Sequence, residues 1–219
     1  FTYASGEHLW KVHKHIRRNL KQSWEIKTTE ELKKRFKRKV GKYYLKEWKI
    51  PIQGRVEYPA KPIMIDPYVL GTWLGDGTRL KPLITGIDID IKKEIEKRGY
   101  KVLTSKLKGT KAERWRILGI ESELKKLNVF SCYSYEKFIP DIYKFNSIDL
   151  RIALLQGLMD TDGCATKDGS VVYTTTSEKL VKDIIWLVRS LGGRAKLRKP
   201  QKNSYKNKKG NKVFNRLSY

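Results

Sequence analysis

Leu154-Leu155-Gln156-Gly157-Leu158-Met159-Asp160-Thr161-Asp162-Gly163 decides how this chain is read. An apolar run with small residues at every fourth place ends in two carboxylates and a glycine. A second stretch, Val69-Leu70-Gly71-Thr72-Trp73-Leu74-Gly75-Asp76-Gly77, has the same character, and the terminal Asp-Gly pairs align. Both stretches are expected to be helices. Asp66 suits the N-cap of one, with Pro67 at the first helical position; Ser147 suits the N-cap of the other, with Asp149 in the first turn. Gly71 and Gly75 lie four apart, as do Ala153, Gly157 and Thr161, so each set shares one helix face. Small residues on facing stripes let two backbones approach closely. Pairing about a pseudo-twofold axis then brings Asp76 and Asp162 together at one end of the interface.

Two carboxylates at adjacent helix C-termini repel each other, and the helix dipoles add to the repulsion. Divalent cations relieve it. Mg²⁺, or Mn²⁺ in its place, takes oxygen ligands and keeps several waters. The two carboxylates, with the backbone carbonyls of Gly75 and Thr161, form a suitable donor set. Metals so placed activate a water and stabilise the leaving oxygen in phosphodiester hydrolysis.

The charge balance agrees with that chemistry. The 219 residues carry 48 Lys and Arg against 23 Asp and Glu, a formal net charge of +25. Folding requires no such imbalance; it implies a polyanionic partner, nucleic acid ahead of membrane. No apolar run approaches the roughly 18 residues that cross a bilayer, and the start is not a signal peptide. Cys132 and Cys164 lack metal-ligand spacing and read as reduced thiols, so a cytoplasmic setting is expected. His8, His13 and His15 crowd into the first 15 residues, and no zinc site is assembled from them.

Lys14 to Lys49 is the densest positive region, including Arg17, Arg18, Lys21, Lys33, Arg35, Lys37 and Arg38. Within it Thr28 and Glu31 form a capping-box signature for a short helix through about Phe36. Trp24, Tyr43, Tyr44 and Trp48 interleave with the cations, so this surface is expected to contact phosphates. Upstream, Phe1 to Val12 has the pattern of strand, turn at Ser5-Gly6, and strand; downstream, Pro51 to Pro62 is expected to be a linker or irregular strand. The first motif is followed by β-like Leu83 to Ile91, a helix over Lys92 to Arg98, strands at Tyr100 to Lys106 and Arg114 to Leu118, and a helix over Glu121 to Leu127. After the second come a hairpin turn at Lys167-Asp168-Gly169, a strand over Ser170 to Thr175, a Ser177-capped helix over Glu178 to Leu191, a strand over Arg194 to Arg198, a Lys/Asn/Gly tract and a last strand, Val213 to Leu217. The order repeats, but the second copy lacks its final helix. The expected divisions are 1–60, 61–146 and 147–219, the last incomplete at its C-terminus.

Leu155 to Gly163 resembles the LAGLIDADG motif of homing endonucleases, and Val69 to Gly77 resembles its partner copy. The closest likeness is to the two-motif enzymes carried within inteins. Asp66 to Gly71, Lys137-Phe138-Ile139-Pro140 before the second motif, and Ser190-Leu191-Gly192-Gly193 after it extend the resemblance over about residues 60–199. It implies an α+β fold of two αββαββ(α) repeats, whose saddle-shaped antiparallel sheets sit in the major groove, where bases are read directly. It implies site-specific hydrolysis of double-stranded DNA, with Asp76 and Asp162 as metal-binding catalytic acids. Lys137 matches the family's basic residue, which positions water or steadies the charge on phosphate. Candidate base or phosphate readers on the expected strands are Lys101, Lys106, Arg114, Arg116, Arg194, Lys196 and Arg198. A second such lysine, usual in the family's other half, has no counterpart before Tyr219.

The N-terminal piece also fits an intein. Ser5-Gly6-Glu7-His8 resembles the block whose histidine helps activate the upstream splice junction, which makes His8 a remnant of it. Phe1 is not a nucleophile and the end is not His-Asn, so the expectation is a piece that does not splice alone: either a domain cut from an intein, or one fragment of an intein divided between chains, which a second chain completes. Two other readings stay open: a DNA-binding module without cleavage, as in maturases, and a split-intein fragment active only with a partner.

Overall fold

The computed structural model describes residues 3–14, 24–46, 48–206 and 212–219. Phe1, Thr2, His15, Arg17, Arg18, Lys21 and the tract over 207–211 lie outside the described residues. The chain divides into two units, Phe1–Gln53 and Gly54–Tyr219.

The first unit holds β1 (Leu9–Lys14), β2 (Trp24–Thr28), α1 (Thr29–Lys34), β3 (Lys37–Val40), β4 (Tyr43–Lys46) and β5 (Trp48–Lys49). β1 lies between β2 and β5 in an antiparallel sheet, and β3 with β4 forms a separate two-stranded ribbon. The expected strand–turn–strand at the start is corrected: Tyr3 belongs to no strand, and β1 pairs with β2, Val12 opposite Glu25. The turn residues serve that distant partner instead. The carbonyls of Gly6 and His8 accept from Glu30 N and Thr29 N at 3.1 and 3.0 Å. The capping box forms as expected: Thr28 Oγ1 accepts from Glu31 N at 3.2 Å and Glu31 Oε2 from Thr28 N at 2.8 Å.

The second unit runs α2 (Pro67–Asp76), β6 (Leu83–Gly86), α3 (Ile89–Lys97), β7 (Val102–Lys106), β8 (Glu113–Ile117) and α4 (Glu121–Lys126). A 3₁₀ turn (Ser134–Glu136) and α5 (Asp141–Lys144) lead to α6 (Ile148–Asp162), β9 (Gly163–Ala165), β10 (Val171–Tyr173), α7 (Glu178–Ser190), β11 (Gln201–Lys206) and β12 (Lys212–Ser218). The earlier sheet has the order β6-β8-β7, all antiparallel, with Gly77 bridging Ile84 at its edge. In the later half β9 pairs with β10 and β11 with β12. Thr175 and Tyr219 exchange backbone hydrogen bonds of 3.2 and 2.8 Å between the two ribbons. The fold is thus α+β with small antiparallel sheets.

Apolar burial centres on α2 and α6. Val69, Leu70, Trp73 and Leu74 of α2 and Leu154 and Leu158 of α6 are fully buried, each worth about 1.5–3 kcal/mol on removal from water. The facing glycines let the two backbones touch. A Cβ on Gly157 would meet the Tyr68 carbonyl oxygen and stand 2.9 Å from Thr72 N. One on Gly71 would meet the Leu154 carbonyl oxygen and stand 2.9 Å from Leu158 N. Asp66 caps α2 by accepting from Tyr68 N and Val69 N, and the Tyr68 hydroxyl crosses to α6, donating to Asp160 at 2.8 Å.

Several local expectations are corrected. Ser147 stands at the N-cap of α6 but makes no side-chain capping bond; the buried Asn146 ties the start of α6 to residue 61 through both atoms of its amide. Only Leu83–Gly86 of the β-like run is a strand. Asp88 accepts from Asp90 N and starts α3, which buries Ile91 and Ile95 four residues apart. Arg194, Lys196 and Arg198 lie in irregular chain, because that segment has no ladder partner and Pro200 beyond it lacks a donor; the strand facing β12 is Gln201–Lys206. The Pro-punctuated stretch is irregular, but from Val56 onward it is fastened down. Val56 N donates to Ser190 O at 2.8 Å, and the buried Arg151 guanidinium reaches the Val56 carbonyl, Ser190 and the Asn146 carbonyl.

Gly157→Val should strike the closest backbone contact. We expect a loss of about 1–3 kcal/mol from overpacking, read as a lower midpoint in urea unfolding with an unchanged slope.

Candidate active site

α2 and α6 deliver Asp76 and Asp162 as the last residues of their helices, and both side chains are partly buried. Burial raises the Asp162 carboxyl to about 6, and the neighbouring Asp76 carboxylate pushes the same way. Asp76 is also raised by burial, with Lys137 pulling back. The two acids and the lysine therefore share one electrostatic site.

Lys137 is no surface lysine: its relative exposure is 4%. Its Nζ donates to the carbonyls of Gly75 and Gly77 at 2.9 Å each and to that of Trp73 at 3.4 Å, filling its three N–H donors. The Gly75 and Gly77 carbonyls lie at the end of α2, where a cation is favoured by the dipole, while that of Trp73 also accepts from Gly77 N at 2.8 Å. Burial nevertheless drops the ammonium to about 8, although Asp162 and Asp76 hold it up. The Lys137 backbone is fastened in turn to α7. Ser177 Oγ donates to the Lys137 carbonyl at 2.6 Å, and Ile139 N donates to Asp183 Oδ2 at 3.0 Å.

Neither Ser177 as an anchor nor Asp183 was legible as part of the site. Tyr173 was missed too. Its hydroxyl lies 3.5 Å from Asp162 Oδ2, and burial pushes it well above the usual phenol range. Its place on β10, opposite Gly163, is set by a pairing that local pattern does not reveal.

Among the expected metal donors, the Gly75 carbonyl already accepts from Lys137. At Thr161 the expected donor is the backbone carbonyl; the hydroxyl turns back to the Gly157 and Leu158 carbonyls, and Thr161 Oγ1 and Cβ fill the space beside Gly75. Among the described residues no three His, Cys, Asp or Glu gather in one cluster. The donors in place are all oxygens: two carboxylates that repel each other. That set suits a hard cation that completes its shell with water and substrate phosphate.

The expected DNA readers divide. Arg114 and Arg116 on β8 are exposed on one face, opposite Ser105 and Leu103 of β7, with Lys101 just before that strand. Lys106, also exposed on β7, pairs with Glu113 and so lies on the face of Trp115 and not on that of Arg114 and Arg116, because strand residues alternate. Lys33, Arg35 and Lys37 are exposed in the first unit, and Arg38 lies on β3; His8 is exposed and packs edge-on against Trp10 at 4.6 Å. Among the described residues no helix is long and apolar enough to cross a membrane.

Paired helices that bring two acids and a buried lysine to one end, flanked by small antiparallel sheets, define a class of α+β protein built round a carboxylate pair. Residues 149–217, from α6 through β12, match the LAGLIDADG-like domain model. The later part of the chain is thus similar to a LAGLIDADG-like domain. It is also similar to a replicative DNA helicase DnaB of Mycobacterium intracellulare, 34% identical over 139 residues, covering 64% of this chain and 21% of that protein. A second similarity is to a replicative DNA helicase DnaB of Synechocystis sp., 41% identical over 87 residues, covering 36% of this chain and 10% of that protein. The chain therefore spans about a fifth or less of the relatives it matches.

The raised Asp162 gives a signed expectation. Its folded form holds a proton that the unfolded form has lost between about pH 4 and 6, so this group lowers stability as pH rises through that window. Asp162→Asn, in chelator, should be more stable than the parent at pH 7 by about 1–2 kcal/mol, and the gain should fade toward pH 4. Urea unfolding across pH measures it; a gain that persists at pH 4 contradicts the assignment.

Proposed function

We propose that this chain is a site-specific, divalent-metal-dependent double-strand DNA endonuclease, carried as an intein-type insertion. The observation that carries the reading is the meeting of Asp76 and Asp162 at the ends of glycine-packed helices, with Lys137 buried beside them. The matched domain, the +25 charge and the exposed Arg114 and Arg116 support it. The small share of the helicase-type relatives that the chain covers suits an inserted segment, for which His8 is the splicing-block remnant.

Asp76 and Asp162 would hold Mg²⁺ or Mn²⁺ with substrate phosphate oxygens and water. When bound, the metal supplies activation of the attacking water and charge stabilisation on the phosphorus and leaving oxygen. The chain's own groups do the rest. The two helix ends fix the carboxylates in place without reorganisation. Lys137 closes the α2 carbonyls and keeps a positive charge beside the reacting phosphate, where its buried setting strengthens it. Partial burial of the acids leaves them repelling until a cation arrives, which favours the metal-loaded form.

The test is cleavage of a plasmid that carries this chain's own flanking coding sequence joined without the insertion. The parent should linearise it in Mg²⁺ and not in chelator. Asp76→Asn or Asp162→Asn should lower the rate by at least about 10²-fold while keeping duplex affinity within a few-fold. Unchanged cleavage in both variants refutes the catalytic assignment. Tight, salt-sensitive binding with no cutting by the parent would make the chain a DNA-binding module instead.

A further inference from the structure

Arg79, three residues beyond Asp76, belongs to none of the groups discussed above. It lies at the exposed tip of the turn between Gly77 and Ile84, which Thr78 N closes on the Leu83 carbonyl at 2.8 Å. Its guanidinium is held on two sides. Cζ lies 3.9 Å from the centroid of the Tyr133 ring, and Nε donates to the Ser131 carbonyl at 3.0 Å. Ser131 N returns a bond to the Arg79 carbonyl at 3.0 Å, and Ser131 sits in the left-handed region at φ 64°. A serine kept there costs energy and persists because its surroundings demand it. Tyr133 is supported beneath: it stacks on Tyr135 at 5.3 Å with rings 6° apart, and its backbone N–H is taken by Glu136 Oε2 at 2.8 Å. Tyr135 is two residues before Lys137. The stack Arg79–Tyr133–Tyr135 thus joins the segment that follows one acid to the segment that carries the lysine.

Among the described residues the two Nη groups of Arg79 have no hydrogen-bond partner, although Nε and the ring fix their direction. A guanidinium braced on one edge and one face offers its remaining N–H groups as a ready fork, the geometry that matches a phosphate. Little side-chain entropy is left to lose on binding. Glu136, three residues beyond Tyr133, accepts from the Tyr133 N–H, and among the described residues no carboxylate forms an ion pair with Arg79.

We propose that Arg79 is a positioning residue that grips a DNA backbone phosphate beside the scissile one, with Tyr133 and Ser131 aiming it. This rests on the endonuclease reading for the identity of the anion. The test is equilibrium binding of a fluorescent duplex spanning the joined flanks, in chelator, between about 50 and 200 mM salt, together with single-turnover cleavage in Mg²⁺. Arg79→Ala should weaken binding about 5–10-fold and flatten the plot of log K against log salt by about 0.9, the value for one lost phosphate contact. Arg79→Lys should restore the slope but not the full affinity, since a lysine keeps the charge and loses the fork. Tyr133→Leu should weaken binding with the slope kept. A lower melting temperature with an unchanged slope in Arg79→Ala makes the residue only a strut and overturns the proposal. A parent that binds but does not cut overturns the endonuclease reading alone, and the slope still decides Arg79; a parent that binds no duplex overturns both.

Discussion

The contact on which the second unit depends is the touching of two backbones where Gly71 and Gly157 face each other. No side chain longer than hydrogen fits at either position, since each would drive into the opposite helix's main chain. The approach makes α2 and α6 one block, and a consequence follows at its far end. Two helices that close end side by side, with the negative poles of their dipoles and two carboxylates in one place. The apolar contacts along the shared face offset the electrostatic cost at the tip. Local instability is tolerated there because the scaffold is secure.

The answer to that cost is unequal between the two helices. At α2 the ammonium of Lys137 closes the free carbonyls, and α7 holds the lysine's backbone in place through Ser177. At α6 Tyr173 approaches Asp162 from β10. The counterpart of Tyr173 in the earlier half is Ile84, which faces Gly77 as Tyr173 faces Gly163, and it has nothing to offer Asp76 but apolar surface. The two acids look alike in sequence and sit in unlike surroundings.

The parts visible in the sequence were those that depend on near neighbours. Helix pairs with small residues four apart, the Asp66-Pro67 start, the Thr28–Glu31 box and the Ser177 cap each express an interaction within a turn or two, and each is present. What escaped was set by partners far along the chain. The strand facing β12 was sought at Arg194–Arg198, although its true residues, Gln201–Lys206, carry a polar composition that becomes a strand only through pairing. Lys106 was grouped with Arg114 and Arg116 because all are basic, whereas register assigns it to the other face. For the site, the two acids and Lys137 were legible from motif and resemblance. The depth of the lysine, and the tyrosine beside Asp162, were not, because burial is a property of the packed whole.

Arg151 carries a consequence for where this molecule begins. It is a buried cation whose partners are neutral carbonyls and a hydroxyl, and one of those carbonyls belongs to Val56, well ahead of the first motif. Asn146 and Tyr143 grip the next stretch in the same manner, at residue 61 and at Ile65. A stretch whose prolines mark it as a connector is therefore a strap, closing the earlier half against the later one. The smallest piece of this chain that keeps its own interior satisfied starts ahead of Val56, not at the helix that carries the motif.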